Sequence, residues 1–188
     1  SGVISGGGAS LPTLYINTDT GGGSTELVKL TGTNTFTGKI QINRGGLAVN
    51  SDAALGNAAN SIFLDIGTTT QVGIRFDAAM SSARAIQLGG GKQVLNTNGN
   101  NVTLSGVVSG TGELHKLGAG SLTLSNTNTY SGATNITTGT LALSGSGSIA
   151  SSTIIVGAST TFDVSGVTGG YTLGSGKTIS GTGSIVGN

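Results

Sequence analysis

Hydrophobic and polar residues alternate in short bursts along this chain. Residues 121–125 read SLTLS, 140–144 read TLALS and 161–165 read TFDVS, and glycine, serine or asparagine bounds each burst. Alternation with a period of two is typical of β-strands with one buried face. The pattern predicts two successive groups of three short strands, on Leu122/Leu124, Thr134/Ile136 and Leu141/Leu143, then on Ile154/Val156, Phe162/Val164 and Tyr171/Leu173.

Strands this short are stable only when equivalent strands stack above and below them. The first group spans 22 residues, so the 188 residues predict roughly eight rungs and a rod of about 40 Å at ~4.8 Å per rung. The expected fold class is therefore all-β, a parallel β-helix (β-solenoid). Gly38, Gly45, Gly132 and Gly139 are expected at corners, where bends often need positive φ. Residues 77–87 are expected to form a loop or one short turn rather than a helix.

A long phrase of the sequence occurs twice, 94 residues apart. Thr33-Asn34-Thr35, Gly38, Ile42, Gly45 and Leu47-Ala48 recur as Thr127-Asn128-Thr129, Gly132, Ile136, Gly139 and Leu141-Ala142. With insertions allowed, residues 1–6 match 105–110, 26–30 match 113–117, 88–92 match 173–177, and Phe76-Asp77 matches Phe162-Asp163. Repeats of this length indicate a solenoid. The chain is therefore predicted to be one solenoid made of two copies, approximately 1–104 and 105–188.

Composition excludes several classes of protein. Glycine supplies 36 residues and only 8% are charged, but 35% are hydrophobic and alternate regularly, which favours a solenoid over a disordered tract. There is no cysteine for disulfide or thiolate chemistry. The net charge of +1 and the scattered basic residues argue against nucleic acid as a partner. No apolar run is long enough for a transmembrane helix, and an export signal is expected to lie outside this segment.

One stretch resembles a known family. Residues 116–125 read KLGAGSLTLS, 128–134 read NTYSGAT and 138–143 read TGTLAL, and this string is similar to the autotransporter-associated β-strand repeat, also called the passenger-associated transport repeat. The first copy departs from the pattern, because Lys29-Leu30 is followed directly by Thr31-Gly32. The resemblance implies a right-handed β-helix in an exported bacterial surface protein, with no catalytic residues. It also implies a role in secretion and an outer-membrane translocator barrel outside this segment.

No set of residues predicts catalysis, a cofactor or a metal site. His115 is the only histidine and is expected to be exposed or on a rim, since it aligns with Val28. A glycosidase needs two carboxylates close together, and only Asp65 and Asp77 are candidates for neighbouring strands. Residues 174–178 read GSGKT, but Tyr171 stands where a P-loop needs glycine. The acidic residues are Asp19, Glu26, Asp52, Asp65, Asp77, Glu113 and Asp163.

Two further sequence patterns predict no site. The triple glycines at 6–8, 21–23 and 89–91 lack the aspartate of calcium-binding nonapeptides. Asn101 and Asn135 begin glycosylation sequons, a weak signal in a bacterial protein.

Three functions follow, in order of preference. The first is a non-enzymatic stalk or spacer of a surface passenger that aids secretion, located outside the cell and attached to the outer membrane. The second is a self-assembling subunit of a filament or sheath, because solenoid ends expose unpaired strand edges. The third is a carbohydrate-active β-helix, which would need an aromatic or acidic patch. The expected partners are adjoining solenoid sequence or identical subunits at the strand edges.

Overall fold

The computed structural model describes residues 3–6, 14–17, 27–65 and 72–187. Asp19, Glu26, Pro12 and the triple glycine at 21–23 lie outside these residues. The strands are β1 Leu14–Asn17, β2 Leu27–Leu30, β3 Ile40–Val49, β4 Ile62–Leu64, β5 Val72–Phe76, β6 Met80–Ser82, β7 Ile86–Leu88, β8 Lys92–Asn96, β9 Val102–Leu104, β10 Val108–Gly110, β11 Glu113–Leu117, β12 Ser121–Leu124, β13 Thr127–Asn128, β14 Thr134–Ile136, β15 Thr140–Gly145, β16 Ser148–Ile149, β17 Thr153–Val156, β18 Thr161–Val167, β19 Thr178–Gly181 and β20 Ser184–Val186.

The strands stack in parallel as a β-solenoid of about seven turns. Face 1 contains β1, the first half of β3, β4, β7 and β10. The β13–β16 pair continues this face, because the N–H of Thr129, next to β13, donates to the carbonyl of Val108 in β10 (2.9 Å). Face 2 contains β2, the second half of β3, β5, β8, β11, β14, β17 and β19. Face 3 contains β6, β9, β12, β15, β18 and β20. The all-β parallel fold predicted from the sequence is confirmed.

Each coil buries its inward side chains against the coils above and below. On face 2 the inward residues form one continuous column, which we call the inner column of face 2: Leu47, Ile74, Leu95, Lys116, Ile136 and Val156. Successive members are 20 to 27 positions apart, as in Lys116 to Ile136 and Leu47 to Ile74, close to the predicted coil length. Every member is at most 2% exposed.

Glycines turn the corners between faces, though not all for the same reason. Gly38, Gly45 and Gly139 have φ of 129°, 70° and 72°, as predicted. Gly45 bends β3 so that its two halves lie on different faces. Gly132 is not among the positive-φ glycines, so another reason holds there. A Cβ at residue 132 would lie 2.2 Å from the Gly112 carbonyl oxygen, so glycine is needed there because the neighbouring coil passes so close.

Two local predictions are wrong. Residues 77–87 contain strand β6 and the start of β7 rather than a loop, because Ser82 and Ile86 face inward and are buried. Residues 171–173 are not a strand. Positive φ at Gly169 and Gly170 turns the chain away from the sheet, and Leu173 is 41% exposed. The one helical turn among the described residues is the 3₁₀ turn Asp52–Leu55, and none of them forms a helix suited to crossing a membrane.

Hydrogen bonds confirm one of the predicted matches between the two copies, and strand pairing corrects others. Ile4 and Val108 are equivalent, because their N–H groups donate to the side chains of Asn34 and Asn128 (2.8 and 2.9 Å). Leu47 and Leu141 are equivalent positions of the repeat. Val28 pairs with Leu47 and Leu122 pairs with Leu141, so Val28 corresponds to Leu122 and not to His115.

Two other predicted matches are also wrong. Phe162 pairs with Leu141, the counterpart of Leu47, and Leu47 pairs with Ile74, so Phe162 corresponds to Ile74 and not to Phe76. Leu88 is buried and Leu173 exposed. The division into copies 1–104 and 105–188 stays a prediction.

Candidate functional site

Asp65 and Asp77, the two carboxylates considered for a catalytic pair, each contact other side chains. Asp65 follows β4 on face 1 and accepts a hydrogen bond from Gln41 (3.2 Å). Asp77 follows β5 on face 2, accepts from Arg75 (2.7 Å) and lies 3.3 Å from the Lys29 ammonium. The Arg75 hydrogen bond holds the pKa of Asp77 below its ordinary value. These two carboxylates therefore lie on different faces and each has its own partner.

His115 is held within a small polar group on the outside of face 2. Its Nε2 lies 2.8 Å from Glu113 Oε2 and 3.3 Å from Asn135 Nδ2. The side chain is only 14% exposed, so the first of the two expectations, an exposed residue, was wrong. Its structural counterpart is Tyr15, which pairs with Gln41 as His115 pairs with Asn135. No group of three or more His, Cys, Asp or Glu residues in the described part of the chain is placed to hold a metal ion.

Residues 174–178 serve as a connection rather than a phosphate loop. Lys177 Nζ donates to the Ile149 carbonyl, and strand β19 follows where a P-loop would need a helix. Gly89–Gly91 similarly connect β7 to β8. Asn101, from the first sequon, accepts a hydrogen bond from the Ser121 N–H (3.1 Å). The prediction that the chain has no catalytic, cofactor or metal site stays a prediction.

Buried asparagines connect three successive coils, and the sequence analysis did not assign them this role. Asn128 is 1% exposed; its Oδ1 accepts from the Val108 N–H one coil before, and its Nδ2 donates to the Ser148 carbonyl one coil later (2.9 and 3.0 Å). Asn34 does the same between Ile4 and the Ala54 carbonyl (2.8 and 2.7 Å). The signal was present in the identical Thr-Asn-Thr triplets. A short amide placed at a corner satisfies backbone groups that would otherwise be buried without partners.

Lys116 occupies an aliphatic position in the inner column of face 2. Its counterpart in the first copy is Ile16, because Ile16 pairs with Ile42 and Lys116 with Ile136. The ammonium donates to Thr97 Oγ1 and to the carbonyls of Leu117, Gly118 and Thr138 (2.7–3.2 Å). Burial lowers the pKa of Lys116 to about 8. The lysine therefore joins three coils, and none of the carboxylates that the structure describes forms an ion pair with it.

A second buried cation fixes the loop that contains the 3₁₀ turn. The Arg84 side chain is 2% exposed and makes two hydrogen bonds to the Asp52 carboxylate (2.8 and 3.1 Å). It also donates to the carbonyls of Asp52, Gly56 and Asn57. The guanidinium has enough donors to satisfy several carbonyls that point into one loop. This arginine lies in the stretch for which sequence predicted only a loop.

The last described coil is covered on one face and open on two. Residues 168–177 cross face 1 as a loop, with the Tyr171 ring edge-on to Phe162 at 5.7 Å between centroids. Strands β19 and β20 end the sheets of faces 2 and 3 in the described part of the chain. Ile185 occupies the inward position next to Phe162 but is 55% exposed, whereas Phe162 is fully buried. No described residue pairs with the outer edges of β19 and β20 or covers Ile185 from beyond this coil.

Comparisons with known proteins agree with this architecture. The family model of the passenger-associated-transport-repeat matches residues 18–49 and 114–143. The first match begins before Lys29-Leu30 and includes the glycines at 21–23. The first copy had seemed to depart from the family pattern only because Lys29-Leu30 was aligned with Lys116-Leu117. The adhesin BmaC autotransporter of Brucella suis biovar 1 (strain 1330) is 36% identical over 131 residues, which cover 65% of this chain and 4% of that relative. No solved structure matches the chain.

Proposed function

This chain carries two passenger-associated transport repeats of the autotransporter type, and on that premise we propose that it is a non-enzymatic stalk segment of a surface-exposed passenger. The inner column of face 2 carries the proposal. Six inward residues from Leu47 to Val156 stack coil upon coil through parallel hydrogen-bonded strands. Such a column provides a stiff spacer and does not by itself form a reaction site.

The segment also aids secretion in this proposal. Folding outside the cell can proceed one coil at a time, because each coil contacts mainly its neighbours. The free energy released as each coil stacks would oppose return of the chain through the membrane. The open edges of β19 and β20 would be met by adjoining solenoid sequence, and an outer-membrane translocator outside this segment would provide the route.

A display experiment tests the secretion role. The chain is placed between an amino-terminal reporter and an autotransporter translocator, and surface exposure is measured by protease treatment of intact cells. The Ile136→Asp variant, which places a charge in the inner column, should reduce surface display severalfold. Thr137→Asp, on an adjacent exposed residue, is the matched control. Equal display of both variants would contradict a role for coil folding in export.

A filament subunit is the second candidate, in which a second copy rather than adjoining solenoid sequence covers Ile185, which is 55% exposed. Exposed strand edges with an apolar inward residue are sites of edge-to-edge association. Sedimentation velocity over a range of concentrations separates the two candidates. Growing, rod-like oligomers support the filament, and a concentration-independent monomer supports the stalk.

A further inference from the structure

The outer side of face 1 carries a row in which aromatic rings alternate with side-chain amides. Strand pairing places four residues side by side on successive coils, and we call them the ring-and-amide row: Tyr15, Gln41, Phe63 and Gln87. Their strand neighbours face the core, as the buried Ile40 and Ile42 do on either side of Gln41. Adjacent coils are about 4.8 Å apart, so the two rings, on alternate coils, are about 10 Å apart. Beyond Gln87 the same register position holds Ser109, so the row is confined to the first coils.

The spacing of this row suits an extended polymer of sugars. An aromatic ring packs against the apolar side of a sugar ring, and an amide both donates to and accepts from sugar hydroxyls. Because the rings of Tyr15 and Phe63 lie two coils apart, they can contact alternate sugar units of a chain that runs along the solenoid axis. A hot spot for a protein partner would instead cluster its aromatic residues in one packed pocket.

A pocket of about 230 Å³ adjoins the row where the chain enters face 1. We call it the corner pocket, and its lining residues are Thr37, Gly38, Lys39, Asn57, Ala59, Asn60 and Ser61. Asn60 is 3% exposed and fixes the wall, because its Oδ1 accepts from the Gly38 N–H (2.8 Å) and its Nδ2 donates to two carbonyls (3.0 Å each). The hydroxyls of Thr37 and Ser61 make no hydrogen bond to a residue that the structure describes. Pockets for drug-sized ligands have about 300–1,000 Å³, so this smaller one suits a single sugar unit.

A cation beside the row determines the charge of the ligand. Lys39 lines the corner pocket, and its Nζ lies 5.1 Å from the centroid of the Phe63 ring. None of the carboxylates in the described part of the chain forms an ion pair with Lys39. Asp65 follows the opposite end of β4 from Ser61 and accepts from Gln41 Nε2 (3.2 Å). Complementary charge therefore favours a ligand whose negative group lies on the Lys39 side of the row.

We propose that the outer side of face 1 binds a linear polysaccharide that contains uronic acid units. The polymer lies along the ring-and-amide row, with alternate sugar units against Tyr15 and Phe63. The carboxylate of one uronic acid unit enters the corner pocket and accepts from the Lys39 ammonium, while Thr37 and Ser61 donate to the same unit. Such a charge-assisted hydrogen bond is roughly twice as strong as a neutral one, so the carboxylate provides specificity and the rings provide contact area. This binding role goes beyond that of a stalk and requires only that face 1 be exposed to solvent.

The experiment compares one polymer with and without its carboxylates. Binding of the whole chain to hyaluronate, alginate and polygalacturonate is measured by biolayer interferometry. Each polymer is also used after chemical reduction of its carboxyl groups to alcohols, which keeps the sugar chain and removes the charge. This comparison does not depend on the folding of any variant.

Two substitutions test the residues. Lys39→Met removes the ammonium, and a thioether can still pack on the Phe63 ring. Lys92→Met is the matched control, because Lys92 is an exposed lysine at the start of β8 on face 2. Tyr15→Leu removes an aromatic ring that is 58% exposed. Circular dichroism and thermal melting report the fold of each protein, and sedimentation velocity reports its association.

The wild-type chain and Lys92→Met should bind at least one uronic acid polymer about tenfold more tightly than its carboxyl-reduced form. Lys39→Met should lose about tenfold in affinity for the carboxylated polymer and bind the reduced polymer as the wild type does. Tyr15→Leu should weaken binding to both forms by about threefold or more.

Three binding results would overturn the proposal: no binding to any of the uronic acid polymers, equal affinity for the carboxylated and reduced forms, or an equal loss in Lys39→Met and Lys92→Met. A wild-type dimer that Tyr15→Leu abolishes would assign this face to a second copy and would also overturn it. The display experiment does not measure glycan binding, so failure of this inference is distinguishable from failure of the proposed function.

Discussion

Ile42 and Ile136 hold identical places in the two sequence repeats but lie on different faces of the solenoid. Ile42 pairs with Leu64 on face 1, and Ile136 pairs with Lys116 and Val156 on face 2. The cause is the length of the repeat, which can be followed from Leu47 to its counterpart Leu141. Four turns of the solenoid lead from Leu47 to Ile136 on the same face, 89 residues later. The remaining five residues lead on to Leu141, which lies on face 3. The repeat of 94 residues therefore equals four turns and one further face.

This offset means that the repeat is a local unit which does not depend on the face that holds it. In both copies an asparagine bridges three coils, an aromatic residue (Phe36 or Tyr130) is buried nearby, and a positive-φ glycine turns the next corner. The three faces offer the same strand spacing, so the same local sequence is stable on any of them. Equivalent residues consequently point in different directions around the rod.

The first prediction concerns charge in the inner column. Ile136→Asp should destabilise the chain by about 3 kcal/mol or more, because the aspartate is buried without a partner. Urea unfolding measures the change, with Thr137→Asp as the exposed control, expected within about 0.5 kcal/mol of wild type. Equal midpoints for the two variants would show that residue 136 does not face the core.

The second prediction concerns the asparagine bridges. Asn128→Ala leaves the Val108 N–H and the Ser148 carbonyl without their side-chain partner and should cost about 2–3 kcal/mol. Asn34→Ala should cost a similar amount, since it makes the same two bonds. Asn50→Ala is the control, because Asn50 is exposed. Chemical denaturation of the three variants tests this, and a loss for Asn50→Ala as large as that for Asn128→Ala would contradict the assignment.

The third prediction concerns pH and Lys116. Its pKa is about 8 in the folded chain and about 10.4 when unfolded, so the unfolded state binds more protons between these values. Stability contributed by this group should therefore rise by about 2 kcal/mol from pH 8 to pH 10 and stay flat below pH 7. Lys116→Met should lack this rise. The quantity to compare is the unfolding free energy of wild type minus that of Lys116→Met at each pH. Burial also raises the pKa of Tyr130, and this subtraction cancels its effect on stability because both proteins contain Tyr130. A constant difference across that range would show that the ammonium is well solvated.

The fourth prediction concerns His115. The His115 ring contacts Glu113 and Asn135 and is not free in solvent. His115→Ala should therefore lower the free energy of unfolding by about 1 kcal/mol. Thermal melting of His115→Ala beside Tyr15→Ala compares the two equivalent positions; Tyr15 is 58% exposed and its loss should matter less. A larger effect at Tyr15 would reverse this ranking.

Sequence predicted the strands from Leu122 to Val164 because their alternation directly reflects burial on one side. It failed at residues 171–173, where the apolar residues alternate but two positive-φ glycines direct the chain away from the sheet. Lys116 was unpredictable in another way. Its burial depends on the Thr97 hydroxyl and on carbonyls of its own and the next coil, and the nearest acidic residue in sequence, Glu113, contacts His115 instead. His115 was misplaced because the repeat was aligned on Glu-Leu and Lys-Leu identities, while strand pairing aligns it with Tyr15.

Disulfide trapping of neighbouring coils tests the parallel solenoid most directly. The chain has no cysteine, so a pair introduced at Thr123 and Ala142, which are register partners in β12 and β15, reports only on their proximity. Parallel strands one coil apart place their Cα atoms within the range that a disulfide spans. A second pair, at Thr123 and Asn135, places the cysteines on faces 3 and 2. The solenoid predicts rapid, near-complete oxidation of the Thr123/Ala142 pair and little of the Thr123/Asn135 pair. Failure of the first pair to form, or efficient formation of the second, would contradict the fold.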